Sequence, residues 1–194
     1  MADTPLVVVV AGPNGAGKTT AAPRLLQGAL AVSEFVNADD IAQGLSAFRP
    51  ESVALTAGRV MLARLDELAR ERADFAFETT LAARDFARRL TTMRASGYRA
   101  HLAFVSLPSP EMAELRVAER VRRGGHAIPG EVIRRRYAAG LRNFFGLYRD
   151  VVDSWQMLDN SVAGASRLLA AGDLGEPPQI LDAAAWENLL RRQT

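Results

Sequence analysis

Residues 6–20 read LVVVVAGPNGAGKTT, and the fold follows from them. Leu6–Ala11 is apolar and largely β-branched, with no polar position to face water. Such a run predicts a parallel strand buried on both faces. It leads into Gly12-Pro13-Asn14-Gly15-Ala16-Gly17-Lys18-Thr19, a full match to G-x-x-x-x-G-K-[ST]. The residue types follow from the chemistry of gripping a polyphosphate. Glycines permit positive φ, so successive backbone N–H groups can converge on one anion. A helix predicted over 19–30 adds the partial positive charge of its N-terminus, although Pro23 falls within its first turns. The motif assigns residues 12–19, with Thr20, to a purine nucleoside triphosphate, ATP or GTP. Lys18 would bridge the β- and γ-phosphates, and Thr19 would offer its hydroxyl to Mg2+. Lys18 is the only lysine among 24 basic residues, the rest being arginine. A compact, flexible ammonium is kept where a phosphate ligand is expected.

Outward from this stretch, strands alternate with helices. Strands are predicted at 35–37, 74–78, 99–107 and 155–158, with short ones at 166–170 and 179–181. Helices are predicted from Asp39, over 51–72, over 82–96 and up to Gly97, from Pro110 to about Arg123, from Gly130 to Tyr148, and over 182–191. Val53, Ala57, Val60, Met61, Leu65 and Leu68 carry the helical spacing of the long segment. Ser109, Pro110 and Glu111 form a helix start. The alternation predicts one α/β domain over 1–194 with a largely parallel sheet. At 194 residues and 48% hydrophobic composition, one core suffices.

Composition narrows the function. The absence of cysteine excludes disulfides, thiolate metal sites and cysteine nucleophiles. With only His101 and His126, a histidine metal site is not expected. The isoelectric point of about 9.5 reflects arginine, while the net charge is only +2. That is too small an excess for a general nucleic-acid binder. The first residues have no basic n-region, and their apolar run is too short for a signal or a membrane span. A soluble cytoplasmic protein is expected.

Further segments follow the phosphate loop in a telling order. They are Asn37-Ala38-Asp39-Asp40, Phe77-Glu78-Thr79-Thr80-Leu81, Gly124-Gly125-His126-Ala127-Ile128-Pro129, Arg135-Arg136-Tyr137 and Asp159-Asn160-Ser161. The set resembles the zeta-toxin-like family of P-loop kinases over roughly residues 5–171. The resemblance implies a P-loop NTPase fold like that of nucleoside monophosphate kinases, with a five-stranded parallel sheet in the order 2-3-1-4-5. It implies phosphoryl transfer from ATP or GTP to a substrate hydroxyl, with a UDP-N-acetylamino sugar as the family's acceptor and an antitoxin protein as partner. Asp39 stands where a family aspartate acts as base toward that hydroxyl. It also suits a helix cap, and Asp40 competes with it.

Glu78 ends a strand at the carboxyl edge, where open α/β sheets bind ligands. It is a candidate for magnesium or for the acceptor, and the resemblance favours the acceptor, with Thr80 beside it. A capping or buried hydrogen-bonded role is the alternative. Arg84 is a further acceptor candidate, and Arg59 on the long helix could face the same pocket or solvent, with solvent the favoured reading. Residues 116–137, rich in arginine around Gly124 and Gly125, read as a lid that closes over the triphosphate. Arg120 and Arg123 share one helical face, and Arg136 matches the family's second lid arginine. A solvated basic face and a nucleic-acid surface are the alternatives. His126 reads as a hydrogen-bonding lid residue, and Asn160 as a base contact or a turn residue.

Two other functions fit the same loop. One is an ATPase switch acting on a protein partner, and the other is a nucleic-acid end kinase.

Overall fold

The computed structural model describes residues 4–27, 30–125, 127–162 and 165–193. The valines of β1 (Leu6–Ala11) are all fully buried, Val7 through Val10 alike. A strand with no solvated face must lie mid-sheet under two layers of helix, and β1 does. Val7 and Val9 pack with Leu65, Phe77, Leu102, Phe104 and Phe144 on one face. Val8 and Val10 pack with Ala22, Leu26 and Val32 on the other.

The elements run β1, α1 (Lys18–Leu26), β2 (Glu34–Val36), α2 (Ala38–Leu45), α3 (Ala54–Glu71), β3 (Phe75–Thr79), α4 (Asp85–Ala95), β4 (Arg99–Ser106), α5 (Pro110–Arg122), α6 (Gly130–Gly146), β5 (Ser154–Asp159), β6 (Arg167–Asp173), β7 (Gln179–Ile180) and α7 (Ala183–Arg191). The sheet order is β2-β3-β1-β4-β5-β6-β7. The first five strands are parallel in the expected 2-3-1-4-5 order. The expected strand count is corrected from five to seven, because β6 and β7 extend the sheet antiparallel. A missing side chain permits the first addition. A Cβ on Gly172 of β6 would lie 2.8 Å from the Trp155 ring of β5. Trp155 then stacks on Trp186 of α7 at 5.7 Å and meets Phe144 of α6 edge-on, which fixes both helices to this face.

Three predicted helix boundaries shift for local reasons. The start of the 51–72 helix is a 3-10 turn, Pro50–Val53, before α3 proper. The predicted helix at Ala82 begins at Asp85 instead. Leu81 takes φ 55, and the Thr79 and Thr80 hydroxyls accept the N–H groups of Leu81 and Ala82, so a turn forms first. The first helix ends at Leu26, four residues short of its predicted end. Among the described residues, no helix is long and apolar enough to cross a membrane.

Candidate active site

β1 delivers the phosphate loop to the carboxyl edge of the sheet, and the loop's glycines are dictated by close neighbours. Gly12, Gly15 and Gly17 take φ 139, 79 and 79. A Cβ at Gly12 would stand 2.1 Å from the Val105 carbonyl oxygen, and one at Gly15 2.6 Å from that of Ala113. Pro13 accepts the Ala16 N–H, closing the curl, and α1 starts at Lys18.

Lys18 is buried, with its Nζ 3.1 Å from the Pro13 carbonyl and 3.4 Å from Glu78 Oε1. Burial pushes the ammonium below the usual lysine range, while the Glu78 carboxylate and then Asp39 oppose that shift. Thr19 Oγ1 donates to Glu78 Oε2 at 2.8 Å. The parallel register that pairs Val10 with Glu78 sets this carboxylate beside the loop's functional pair. Thr19 and Glu78 present hard oxygen donors, and Mg2+ binds through one or two protein oxygens plus substrate phosphates. The pair therefore fits that ion. Among the described residues, no cluster of three or more histidine or carboxylate side chains offers a self-sufficient metal cage.

Asn37 joins this network. Its Oδ1 accepts the Asp39 N–H at 2.9 Å, so Asn37, not Asp39, caps α2. Its Nδ2 lies 3.4 Å from Glu78 Oε2. The cap leaves the Asp39 carboxylate to line a cleft of about 640 Å³ together with Lys18, Glu78, Thr80 and Arg136. Asp40 lines a neighbouring cavity with Thr19, Ala22, Pro23 and Phe35 and is not part of the cleft lining that holds Asp39. Burial, and then the charge of Asp39, raises the Asp40 pKa.

The predicted arginines separate as well. Arg136 Nη1 donates to Asn14 Oδ1 at 3.4 Å, from α6 to the phosphate loop. Arg120 is close enough to Lys18 for its charge to depress the ammonium pKa. Arg123 is 77% exposed and pairs with Glu119 one turn back on α5, outside the cleft lining. Arg84 precedes α4 and lines a different cavity with Arg142 and Asn143. The cleft wall on that side is formed instead by Arg88 and Arg89, with Arg59 across from them on α3. Of the two readings for Arg59, pocket or solvent, both describe it: the residue is exposed and lines the cleft. Arg88 and Arg89 were missed, because the helix expected from Ala82 begins at Asp85 and this changes which of its residues face the cleft.

Gly124 and Gly125 meet a capping need. Gly124 takes φ 88, and its N–H reaches the Val121 carbonyl while Gly125 N–H reaches that of Arg120, closing α5. His126, expected in the lid, lies outside the described residues. Asn160 is buried, with both ends of its amide engaged. Nδ2 donates to the Ala16 carbonyl at 2.6 Å, and Oδ1 accepts from Ser166 at 2.9 Å. It buttresses the phosphate loop, within a turn in which Asp159 Oδ1 accepts the Ser161 N–H. Thr20 is exposed on the first turn of α1.

Comparison with known proteins agrees with this fold. An uncharacterized protein of Haemophilus influenzae is 27% identical over 126 residues, covering 65% of this chain and 88% of that one. The AvrRxo1-ORF1:AvrRxo1-ORF2 complex with sulphate ions contains a chain of like fold, at TM-score 0.78 and 15% identity over all of this chain. This chain spans 66% of that chain's length. A structure of the PezAT chromosomal toxin–antitoxin system of Streptococcus pneumoniae matches at TM-score 0.68 and 15% identity, covering 98% of this chain and 86% of that one. The family model for zeta toxin matches residues 1–160. With that match running from the first strand through Asn160, the chain belongs to the zeta toxin family of P-loop phosphotransferases.

Proposed function

We propose that this protein transfers the γ-phosphoryl group of ATP or GTP to a hydroxyl of a small molecule, and that the acceptor is a UDP-N-acetylamino sugar. One observation carries the reading: Lys18, Asp39, Glu78, Thr80 and Arg136 line a single cleft. A donor held by the loop amides presents its γ-phosphate toward this space. Asp39 takes the proton of the attacking hydroxyl, and Lys18, Arg120 and Arg136 offset the charge that spreads over the phosphoryl oxygens. Thr19 and Glu78 would hold Mg2+, which when bound neutralises charge on the β- and γ-oxygens.

An AvrRxo1 structure of the same fold contains ATP, which supports a nucleotide donor. The PezAT relative is part of a toxin–antitoxin system, and by extension an antitoxin protein is proposed as the partner of this chain. The reading implies a cytoplasmic protein, in the compartment that supplies nucleoside triphosphates.

The test is incubation with γ-labelled ATP or GTP and separate pools of nucleotide sugars, nucleosides and oligonucleotides. Label in the nucleotide-sugar pool is expected. Label in oligonucleotides alone, or release of free phosphate alone, would refute it. Asp39→Asn is expected to lower transfer by about 10²–10⁴-fold with nucleotide affinity retained. Asp40→Asn, outside the lining of the cleft, is expected to leave transfer within about threefold.

A further inference from the structure

Four successive backbone carbonyls, those of Thr80, Leu81, Ala82 and Ala83, are held by α6 and the turn after it. A Cβ added to Gly140 would lie 2.6 Å from the Thr80 oxygen, so the helix backbone lies against that carbonyl. Asn143 Nδ2 donates to the Leu81 oxygen at 2.7 Å and lies 3.2 Å from that of Ala82. Tyr148 Oη donates to the Ala83 oxygen at 2.8 Å. The segment so held is not relaxed. Leu81 is fully buried and takes φ 55, a left-handed conformation that L-residues other than Asn and Asp rarely adopt. Strain of this kind persists only where the surroundings over-determine it.

The placement matters because Thr79, Thr80 and Ala83 line the same cleft as Asn14 and Lys18 of the phosphate loop. Arg136, Gly140 and Asn143 stand at i, i+4 and i+7, one stripe of α6. The first member reaches Asn14 in the phosphate loop and the other two meet the turn. Tyr137 anchors the same helix by donating to the Leu107 carbonyl at 2.7 Å. A single rod thus spans from the donor loop to the far wall of the cleft.

We propose that Asn143 is a positioning residue for the acceptor, holding the Thr80–Ala82 turn so that the acceptor wall stands at a fixed distance from the phosphate loop. Asn143 touches neither substrate and acts through the turn. The inference rests on the phosphoryl-transfer reading for its kinetic consequence, but the conformational consequence is independent of it.

The test uses the full chain, with Asn143→Leu removing both donated bonds while keeping the branching of the side chain, and Gly140→Ala pressing a methyl group on the Thr80 carbonyl. Hydrogen exchange reads the turn directly, because the Leu81 and Ala82 amides are bonded to the Thr79 and Thr80 hydroxyls within it. These two amides are expected to exchange about tenfold faster in each variant, with the amides of residues 12–17 unchanged. Unchanged exchange at Leu81 and Ala82 would overturn the proposal. Transfer from ATP to UDP-N-acetylglucosamine gives the second readout. A misplaced wall is expected to cost about ten- to a hundredfold in kcat/KM for the acceptor, while the KM for ATP stays within about twofold. A KM for ATP that rises as much as the KM for the acceptor would mean a merely destabilised protein and would refute the positioning role. If the wild-type protein labels no acceptor, the kinase reading fails by itself, and the exchange result still decides whether Asn143 holds the turn.

Discussion

Lys18 bears on every chemical step proposed, and the network around it constrains what can replace it. Its ammonium sits among the Pro13 carbonyl, Glu78 and the nearby Asp39, each of which favours a cation at that point. Lys18→Ala is expected to lower transfer by about a hundredfold or more, the scale of losing one preorganised charge in a shielded site. Isothermal titration with Mg-ATP and Mg-GTP checks the same variant for loss of binding heat. Lys18→Arg is the sharper comparison in a chain whose other basic residues are all arginine. The planar guanidinium is larger and cannot occupy the buried slot of a point charge, so it is expected to restore little. Wild-type turnover in either variant would remove the phosphate loop from the mechanism. The loop itself was legible residue by residue, because its chemistry depends on local spacing. Glu78 was legible as a site residue, but its bond to Thr19 was not. That contact depends on the β1–β3 register, which brings together residues 59 apart.

Elements show where reading from sequence stops. Periodicity and caps placed β1, β4, α5 and α6 to within a few residues, since each carries its own apolar pattern or start signal. The antiparallel β6 was weakly marked, because its pairing depends on Gly172 fitting beneath Trp155 rather than on alternation along the strand. Arg84 was the arginine named for the acceptor after Glu78, and it lines a different cavity. The Leu81 turn delays α4 and rotates which arginines face the cleft. Helix α7 is held by an aromatic cluster in which Trp186 stacks on Trp155 and meets Phe145 edge-on at 5.0 Å. Trp186→Ala is expected to cost about 3–5 kcal/mol, the range for emptying a large aromatic site. The urea midpoint measures the loss. A change under about 0.5 kcal/mol, the scale of a surface substitution, would show that α7 contributes little to the fold.

At the scale of the whole molecule, the same composition that points to a phosphate site makes its alkaline stability unusually simple to read. With no cysteine and one lysine, the three tyrosines are the main groups that titrate between pH 10 and 12. Burial raises all three, and Tyr137 and Tyr148 are each pushed up to about 12. Each of these two donates its hydroxyl hydrogen to a backbone carbonyl, which ionisation would leave without a donor. The sign follows from proton counting. Between the unfolded value near 10 and the folded value near 12, the unfolded chain has lost protons that the folded chain still holds. Stability contributed by these rings is therefore complete below pH 10 and falls as pH rises toward 12. The loss is on the order of a few kcal/mol at most for each ring. Lys18 acts with the opposite sign, because burial lowers its pKa, so its effect lies below its unfolded value of 10.5 and is finished above it. The urea midpoint is thus expected to drop steeply between pH 10 and 12, and the combined Tyr137→Phe, Tyr148→Phe variant is expected to flatten that slope while starting from a lower midpoint at neutral pH. An equally steep drop in the double variant would place the alkaline weakness elsewhere and detach it from the two hydroxyls that tie α6 and its following turn to the site.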